Sequence, residues 1–304
     1  GLHPSPEPVR GAVRLFTLAV ALVVLAIQAT NFAAHGSLAE IALAKAEAAE
    51  RMGPLNRIIF NAFPFLAGVL WYTSAFQPRE RLLAVLVAMV CALGLALTLF
   101  KGGVILFFVF LLYLSLITRR GGEPSLRALA RRPKIALAVI ATVVGMYYLS
   151  EGEELLVSLK YVIARLTLFA WEGFAYVVET PADPDLTAQL QVFLGRDSAP
   201  SPDLLLASDM LRLPDPPIGI VVTLPGFLFR NFGEAGVLTG GLLLGFAMQA
   251  LLLGATRGVH PSRVVLALSL YFALVRVFLV GNVFNALRGE VLTTLAVYAF
   301  VRLF

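Results

Sequence analysis

One stretch of the chain spaces charged and aromatic side chains so that they share a helix face. They recur at intervals of four, four, three and four residues, which places side chains on one side of an α-helix. The five residues are Tyr161, Arg165, Phe169, Glu172 and Tyr176. The pattern predicts a helix over about residues 154–178. A face with one cation, one carboxylate and three aromatic rings is typical of a groove that binds sugar and phosphate. An ordinary amphipathic helix, with Arg165 near Glu172, is the alternative.

Basic residues form a second candidate set, because topology alone does not require so many on the predicted outer side of a membrane. They are Arg51, Arg57, Lys101, Lys160, Arg165, Arg230, Arg276 and Arg288. An arginine deep in a span costs about 2.5–3.5 kcal/mol, although Arg276 lies close enough to the end of its span to extend outward. Guanidinium groups present a fixed fork of donors to phosphate, so the set indicates an anionic, lipid-linked ligand. Pairing with lipid phosphates or with the carboxylates of Glu172, Glu234 and Glu290 is the alternative.

The histidines and the single cysteine do not form a metal site. His3, His35 and His260 lack ligand spacing, and Cys91 lies inside an apolar run. There is also no Asp-x-Asp motif, no glycine-rich phosphate loop and no Ser/His/Asp set. We therefore expect neither a metal nor another cofactor.

The composition requires a membrane. Hydrophobic residues make up 59% of the 304 residues and charged residues 14%, and the mean hydropathy is +0.85. A soluble domain carries about 45–50% apolar and about 25% charged residues, so this chain has more apolar surface than a soluble core of its size can bury. The net charge of +5 does not indicate nucleic acid, because the basic residues lie between apolar runs rather than along a soluble stripe.

The apolar runs predict an all-α, polytopic membrane protein with about eight transmembrane helices. Helices are the default spanning element, because lipid offers no partner to an unpaired backbone group. The predicted spans are residues 13–32, 57–75, 82–100, 102–118, 134–149, 235–255, 263–281 and 289–304. They divide the chain into N-terminal spans (1–149), a large extramembrane loop with the amphipathic helix (150–234) and C-terminal spans (235–304).

Basic turns set the orientation. Six cations against one acidic residue, Glu123, lie between residues 119 and 134, which is the strongest positive-inside signal in the chain. Placing this loop in the cytoplasm also places three other basic pairs there. They are Arg10 with Arg14, Arg79 with Arg81, and Arg257 with Arg263. The loop 150–234 then lies outside, as do the turn at Lys101-Gly102-Gly103 and an interfacial helix over residues 33–56.

Short motifs in the second half resemble the O-antigen polymerase family (Wzy, oligosaccharide repeat-unit polymerase). The clearest lies within residues 223–246, where a Leu-Pro-Gly turn leads to Asn231-Phe232-Gly233 and then to a glycine-rich span. The basic turn Phe100-Lys101-Gly102-Gly103 and the late Arg288-Gly289-Glu290 fit the same layout. The resemblance covers about residues 80–304, and the family usually has more than eight spans.

This resemblance implies a GT-C-like glycosyltransferase of the bacterial inner membrane that acts in lipopolysaccharide and other polysaccharide biosynthesis. The enzyme would polymerise oligosaccharide repeat units carried on undecaprenyl diphosphate, on the periplasmic side. The partners implied are the lipid-linked oligosaccharide, membrane lipid and a chain-length regulator, and no nucleic acid. A lipid diphosphate is then the leaving group, and without a metal its charge must be stabilised by arginines and Lys101.

Residue roles follow from that reaction. Glu172 is the first candidate for the base that accepts the proton of the sugar hydroxyl, because it shares a face with Arg165, and Glu290 is the second. The predicted catalytic residues are Glu172, Arg165 and Arg230. The predicted substrate-binding residues are Lys101, Lys160, Tyr161, Phe169, Tyr176, Arg276, Arg288 and Glu290.

Three other functions stay open at this stage. An O-antigen ligase, which transfers glycan to a lipid acceptor, has a similar layout but commonly a histidine in the large loop, and residues 150–234 contain none. A transporter of lipid-linked oligosaccharide would carry paired charges or broken helices at matching positions in two halves. A non-catalytic scaffold subunit would not need the outer cations.

The orientation is testable with single cysteines. We expect Ser198→Cys to react with a membrane-impermeant thiol reagent applied from outside and Ser125→Cys to react only after permeabilisation, because the basic loop around Ser125 is cytoplasmic. Both are made in a Cys91→Ala background, which removes the only native thiol. Labelling of Ser125→Cys from outside without labelling of Ser198→Cys reverses the topology.

Overall fold

The computed structural model describes residues 11–35, 54–98, 101–120, 223–258, 260–280 and 287–303, with a few isolated positions between 141 and 208. Within these ranges the chain is helical throughout, apart from short turns. The main helices are α1 (Gly11–His35), α2 (Phe63–Ser74), α3 (Arg81–Leu97), α4 (Lys101–Arg120), α5 (Leu224–Arg257), α6 (Pro261–Val280) and α7 (Leu292–Leu303). Single turns precede some of them: Pro54–Arg57 and the π-helical Ile58–Ala62 before α2, the 3₁₀ turn Pro78–Glu80 before α3, and the π-helical Leu287–Val291 before α7.

Four of the described helices are long and apolar enough to cross a membrane. They are Gly11–Ala34, Pro78–Leu97, Leu224–Arg257 and Pro261–Phe278, and two shorter apolar helices are Ile58–Ser74 and Gly102–Thr118. The all-α, multi-helix character predicted from composition is therefore confirmed over this part of the chain. Most of the predicted fifth span, 134–149, and residues 36–53 of the predicted interfacial helix, 33–56, lie outside the described residues. The count of eight spans stays a prediction.

Helices α1 and α3 run parallel and are joined at two levels. Arg14 Nη2 lies 2.9 Å from Glu80 Oε1, and four helical turns further on Gln28 Nε2 donates to the carbonyl oxygen of Gly94 at 2.9 Å. Both pairs are separated by 66 residues in sequence, so the two helices keep the same register over this distance. Gly94 permits the contact, because a Cβ there would lie 2.6 Å from a methyl carbon of Val24.

Helices α2 and α4 also run parallel, and small residues bring them together. A Cβ on Gly68 would lie 2.6 Å from the ring of Phe110, and one turn later Trp71 Nε1 donates to Ser115 Oγ at 2.9 Å. At the other end, a Cβ on Gly103 would lie 3.0 Å from the Phe60 ring. Close backbone approach at small residues is the usual means of packing helices in lipid, where the hydrophobic effect does not drive helices together.

The beginning of α1 lies beside the end of α7. The Phe16 and Phe300 ring centroids are 4.3 Å apart, and Arg14, two residues before Phe16, contacts Glu80 in the turn before α3. The start of the chain's first described helix, the turn at residues 75–80 and the end of its last helix therefore share one end of this group of helices. The sequence-based orientation also grouped Arg14 with the turn at Arg79 and Arg81 on one side of the membrane.

One boundary differs from the sequence-based expectation. The expected turn at Lys101, Gly102 and Gly103 is replaced by helix, because these are the first residues of α4. Backbone hydrogen bonding within the helix outweighs the propensity cost of glycine there, about 1 kcal/mol per residue. Helix α5 runs from Leu224 to Arg257 with a break at Gly233, and the part after the break begins at residue 234, one residue before the predicted span 235–255.

The chain divides into two compact units. The first contains Gly1–Leu159, Leu251–Leu270 and Thr293–Phe304, and the second contains Lys160–Ala250 and Tyr271–Leu292. All the contacts described above lie in the first unit.

The Arg14–Glu80 pair is open to a charge-swap test. Glu80 is buried, with its side chain 10% exposed, so Glu80→Ala leaves a partly buried guanidinium without its carboxylate and should cost about 1 kcal/mol or more in unfolding free energy. The double variant Arg14→Glu/Glu80→Arg should recover part of this loss. Thermal unfolding in detergent measures both, and Arg79→Ala, an exposed neighbour, is the control. An unchanged midpoint for Glu80→Ala contradicts a stabilising role for the pair.

Candidate functional site

An ion pair between α6 and the start of the last helix is the first feature of the candidate site. Arg276 Nη1 lies 2.7 Å from Glu290 Oε1. Arg276 is near the end of α6, and Glu290 belongs to the π-helical turn Leu287–Val291. The side chain of Glu290 is 15% exposed and that of Arg276 is 40% exposed, so the acidic partner is largely covered and the basic partner is partly open.

Position along the helix explains why a carboxylate partner is favourable for Arg276. Arg276 follows Pro261 by 15 residues, which is about 22 Å along a helix axis, whereas the hydrocarbon core is about 30 Å thick. A charged side chain at that depth requires a partner or water. Because removal of Glu290 leaves the partly exposed Arg276 without its carboxylate, it should destabilise the fold by about 1 kcal/mol or more.

A break inside α5 is the second feature. Gly233 has φ 63° and ψ −159°, a combination that is open essentially only to glycine. It divides the helix into a short arm, residues 224–232, and a long arm, residues 234–257. Asn231 Nδ2 donates to the carbonyl oxygen of Phe227 at 2.7 Å, within the short arm.

The short arm folds back along the long arm. A Cβ on Gly240 would lie 2.5 Å from Leu228 Cδ1 and 3.3 Å from Leu228 Cγ, and a Cβ on Gly236 would lie 2.9 Å from the Leu228 carbonyl oxygen. Twelve residues of straight helix would separate Leu228 from Gly240 by about 18 Å. Residues 224–244 therefore form a helical hairpin, with its tip at Gly233 and with Leu228 seated in a groove made by Gly236 and Gly240.

An apolar cluster joins this hairpin to α6. Leu224 and Val277 are its buried members, and Phe227, Leu228 and Leu244 pack against them. Val277 directly follows Arg276, so the short arm begins beside the residue next to the ion pair. The hairpin, α6 and the turn that carries Glu290 contribute all these residues to the second compact unit.

The structure brings two of the predicted site residues together, Arg276 and Glu290. Arg230 belongs to the same unit and is half-buried in the short arm, and Lys160 is exposed. The backbones of Lys101 and Arg288 are helical, but their side chains lie outside the described part of the structure. The five residues of the proposed groove wall also lie outside the described residues: Tyr161, Arg165, Phe169, Glu172 and Tyr176. Convergence of the whole cationic set on one cavity stays a prediction.

Sequence reasoning missed the hairpin. The Leu-Pro-Gly sequence at residues 224–226 suggested the end of a loop, and the helical period does not reveal where a helix reverses. The available signal was the glycine series Gly233, Gly236 and Gly240, which combines one candidate hinge with two positions that permit close helix approach.

Metal ligands do not cluster in the described ranges: they hold no group of three or more His, Cys, Asp or Glu side chains that could bind an ion. Metal independence stays a prediction. No model of a known protein family, no curated protein and no solved structure matches this chain.

Cysteine pairs test the hairpin directly. In a Cys91→Ala background, we expect Leu228→Cys with Gly240→Cys to form a disulfide under mild oxidation, because the Leu228 side chain contacts the Cβ position of Gly240. The matched control is Phe232→Cys with Leu244→Cys, which has the same separation in sequence. Phe232 lies at Gly236, so Leu244 is about 12 Å further along the axis, beyond the reach of a disulfide. Equal cross-linking of the two pairs would refute the hairpin.

Proposed function

We propose that this protein is a membrane glycosyltransferase that polymerises oligosaccharide repeat units carried on undecaprenyl diphosphate, at the outer face of a bacterial inner membrane. The observation that carries the proposal is the ion pair of Arg276, whose side chain is 40% exposed, with the largely covered Glu290, near the end of a helix that is long and apolar enough to cross a membrane. The motif resemblance around Asn231-Phe232-Gly233 supports the choice of reaction.

Arg276 suits a diphosphate ligand. Arginine carries five N–H donors in a planar fork, the contact with Glu290 engages Nη1, and 40% of the side chain is open. A covered carboxylate fixes the orientation of the guanidinium before any ligand arrives. Such preorganised donors stabilise the charge that develops on a leaving group. Arg230 and Arg165 are the further candidates for this role.

In the proposed reaction, a hydroxyl of the acceptor sugar attacks the anomeric carbon of the donor sugar. A new C–O bond forms, the bond between that carbon and the diphosphate oxygen breaks, and undecaprenyl diphosphate leaves with the electron pair. The proton of the hydroxyl passes to a carboxylate. Glu172 remains the first candidate for this base, because Glu290 is already engaged in an ion pair with Arg276.

Translocation of the same lipid-linked oligosaccharide is the second candidate function. The break at Gly233 and the charge pair near the end of α6 are features that transporters use. The two functions differ in product, because a polymerase lengthens the glycan whereas a transporter moves it unchanged.

Substitutions at Arg276 test the proposed ligand. Arg276→Ala should lower elongation of lipid-linked repeats roughly a hundred- to thousandfold, the usual effect of losing one preorganised donor. Arg276→Lys should recover only part of the rate, because an ammonium group cannot supply a bidentate fork. Arg263→Ala is the matched control, since Arg263 is an exposed arginine at the other end of the same helix. Near-normal elongation by Arg276→Ala would refute this role.

Isosteric substitutions distinguish the roles of the Glu172 and Glu290 carboxylates. Glu172→Gln should abolish elongation and keep binding of the lipid diphosphate, because it removes the base and preserves the shape. Glu290→Gln should weaken binding, because Arg276 loses its orienting partner. Normal elongation by Glu172→Gln together with none by Glu290→Gln, at unchanged binding, would transfer the base to Glu290.

A further inference from the structure

One face of the long arm of α5 carries two glycines that no contact within the hairpin explains. A Cβ on Gly236 or Gly240 would lie against the short arm, whereas a Cβ on Gly241 or Gly245 would meet no atom of the described chain within 4 Å. Gly245 follows Gly236 by nine residues, about two and a half helical turns, so it lies on the side of the long arm that faces away from the short arm. Glycine weakens a helix interior, and its usual use in a membrane is to let another helix approach closely.

A glutamine on the same face is the second, independent observation. Gln249 follows Gly245 by four residues and Gly241 by eight, so the three lie along one side of the helix. The side chain of Gln249 is exposed, and its amide has no hydrogen-bond partner in the part of the chain that the structure describes.

Gln249 lies inside the apolar part of the helix. Residues 235–256 contain no charged residue, and Leu224–Arg257 is long and apolar enough to cross a membrane. Gln249 is 15 residues from Glu234 along the same helix, about 22 Å, in a hydrocarbon core of about 30 Å. Lipid offers no partner to an amide there, so the side chain requires a polar group from another helix, as glutamines in membranes commonly have.

We infer that the face formed by Gly241, Gly245 and Gln249 is the contact between two copies of this chain in the membrane. Copies of one membrane protein share one orientation, so a two-fold axis along the membrane normal brings the same face of both α5 helices together in parallel. An amide carries donors and an acceptor, so each Gln249 donates to the oxygen of the other and no further polar group is needed. Leu238 and Leu242, which are 69% and 63% exposed, pack beside the two glycines in this contact. The contact does not depend on the reaction proposed above.

Single cysteines on opposite sides of α5 test the contact. Gly245→Cys and Leu243→Cys are made in the full chain in the Cys91→Ala background and oxidised mildly in the membrane. The two positions are about 3 Å apart along the helix axis, and both are exposed, so they differ in face and not in depth. Gly245→Cys should form a disulfide-linked dimer at least about tenfold faster, because a disulfide requires its two Cα atoms within about 7 Å. Equal rates, or a faster rate for Leu243→Cys, would overturn the contact.

Subunit counting in lipid vesicles measures the strength of the contact. The fraction of dimers is determined by single-molecule photobleaching of the purified protein over a range of protein-to-lipid ratios. Gln249→Leu should weaken dimerisation about three- to tenfold, the usual effect of losing a hydrogen bond between membrane helices. Gly245→Leu should weaken it at least about tenfold, because the added side chain holds the two backbones apart, and Leu243→Ala is the control that should leave it unchanged.

Two results would overturn the second copy as the partner. One is a wild-type protein that stays monomeric at every protein density, which would leave this face to a helix of a different protein. The other is a dimer that neither Gln249→Leu nor Gly245→Leu weakens, which would place the contact elsewhere on the chain.

Discussion

Lipid offers neither a hydrogen bond to a free backbone group nor a counter-charge to an ion, and this constraint organises the chain. Charges and helix breaks must therefore find partners inside the protein. Arg276 meets Glu290, Arg14 meets Glu80, and the amide of Gln28 donates to a carbonyl oxygen near the end of α3. Arg276 and Arg14 are similarly exposed, with 40% and 36% of the side chain open, and what distinguishes the Arg276–Glu290 pair is its place beside the apolar cluster of the hairpin.

Glycine permits close contacts between helices, which matter here because helices in lipid associate by close packing rather than by hydrophobic burial. Gly68, Gly94 and Gly103 bring the helices of the first unit together. Gly236 and Gly240 do the same within the hairpin, where they receive Leu228. The hairpin then places Leu224 against Val277, so the packing of small residues determines what lies beside Arg276.

Sequence reasoning predicted the properties that follow from composition and from the spacing of apolar and basic residues. The apolar runs predicted helices, and grouping the basic turns by side agrees with the contact of Arg14 with the turn at Glu80. The pairing of Arg276 with Glu290 was one of several alternatives, because partners 14 residues apart on different helices are not distinguishable without coordinates. The hairpin was missed because a positive φ at Gly233 depends on tertiary contacts. The residues around Gly233 are equally compatible with a loop.

Elongation by the purified protein in lipid vesicles tests the central claim most directly. The vesicles would contain undecaprenyl-diphosphate-linked repeat units and a metal chelator, and the products would be resolved by size. The account predicts a ladder of lengthened glycans and a matching release of undecaprenyl diphosphate. Repeat units that stay at their original length, whether or not they cross the bilayer, would contradict it.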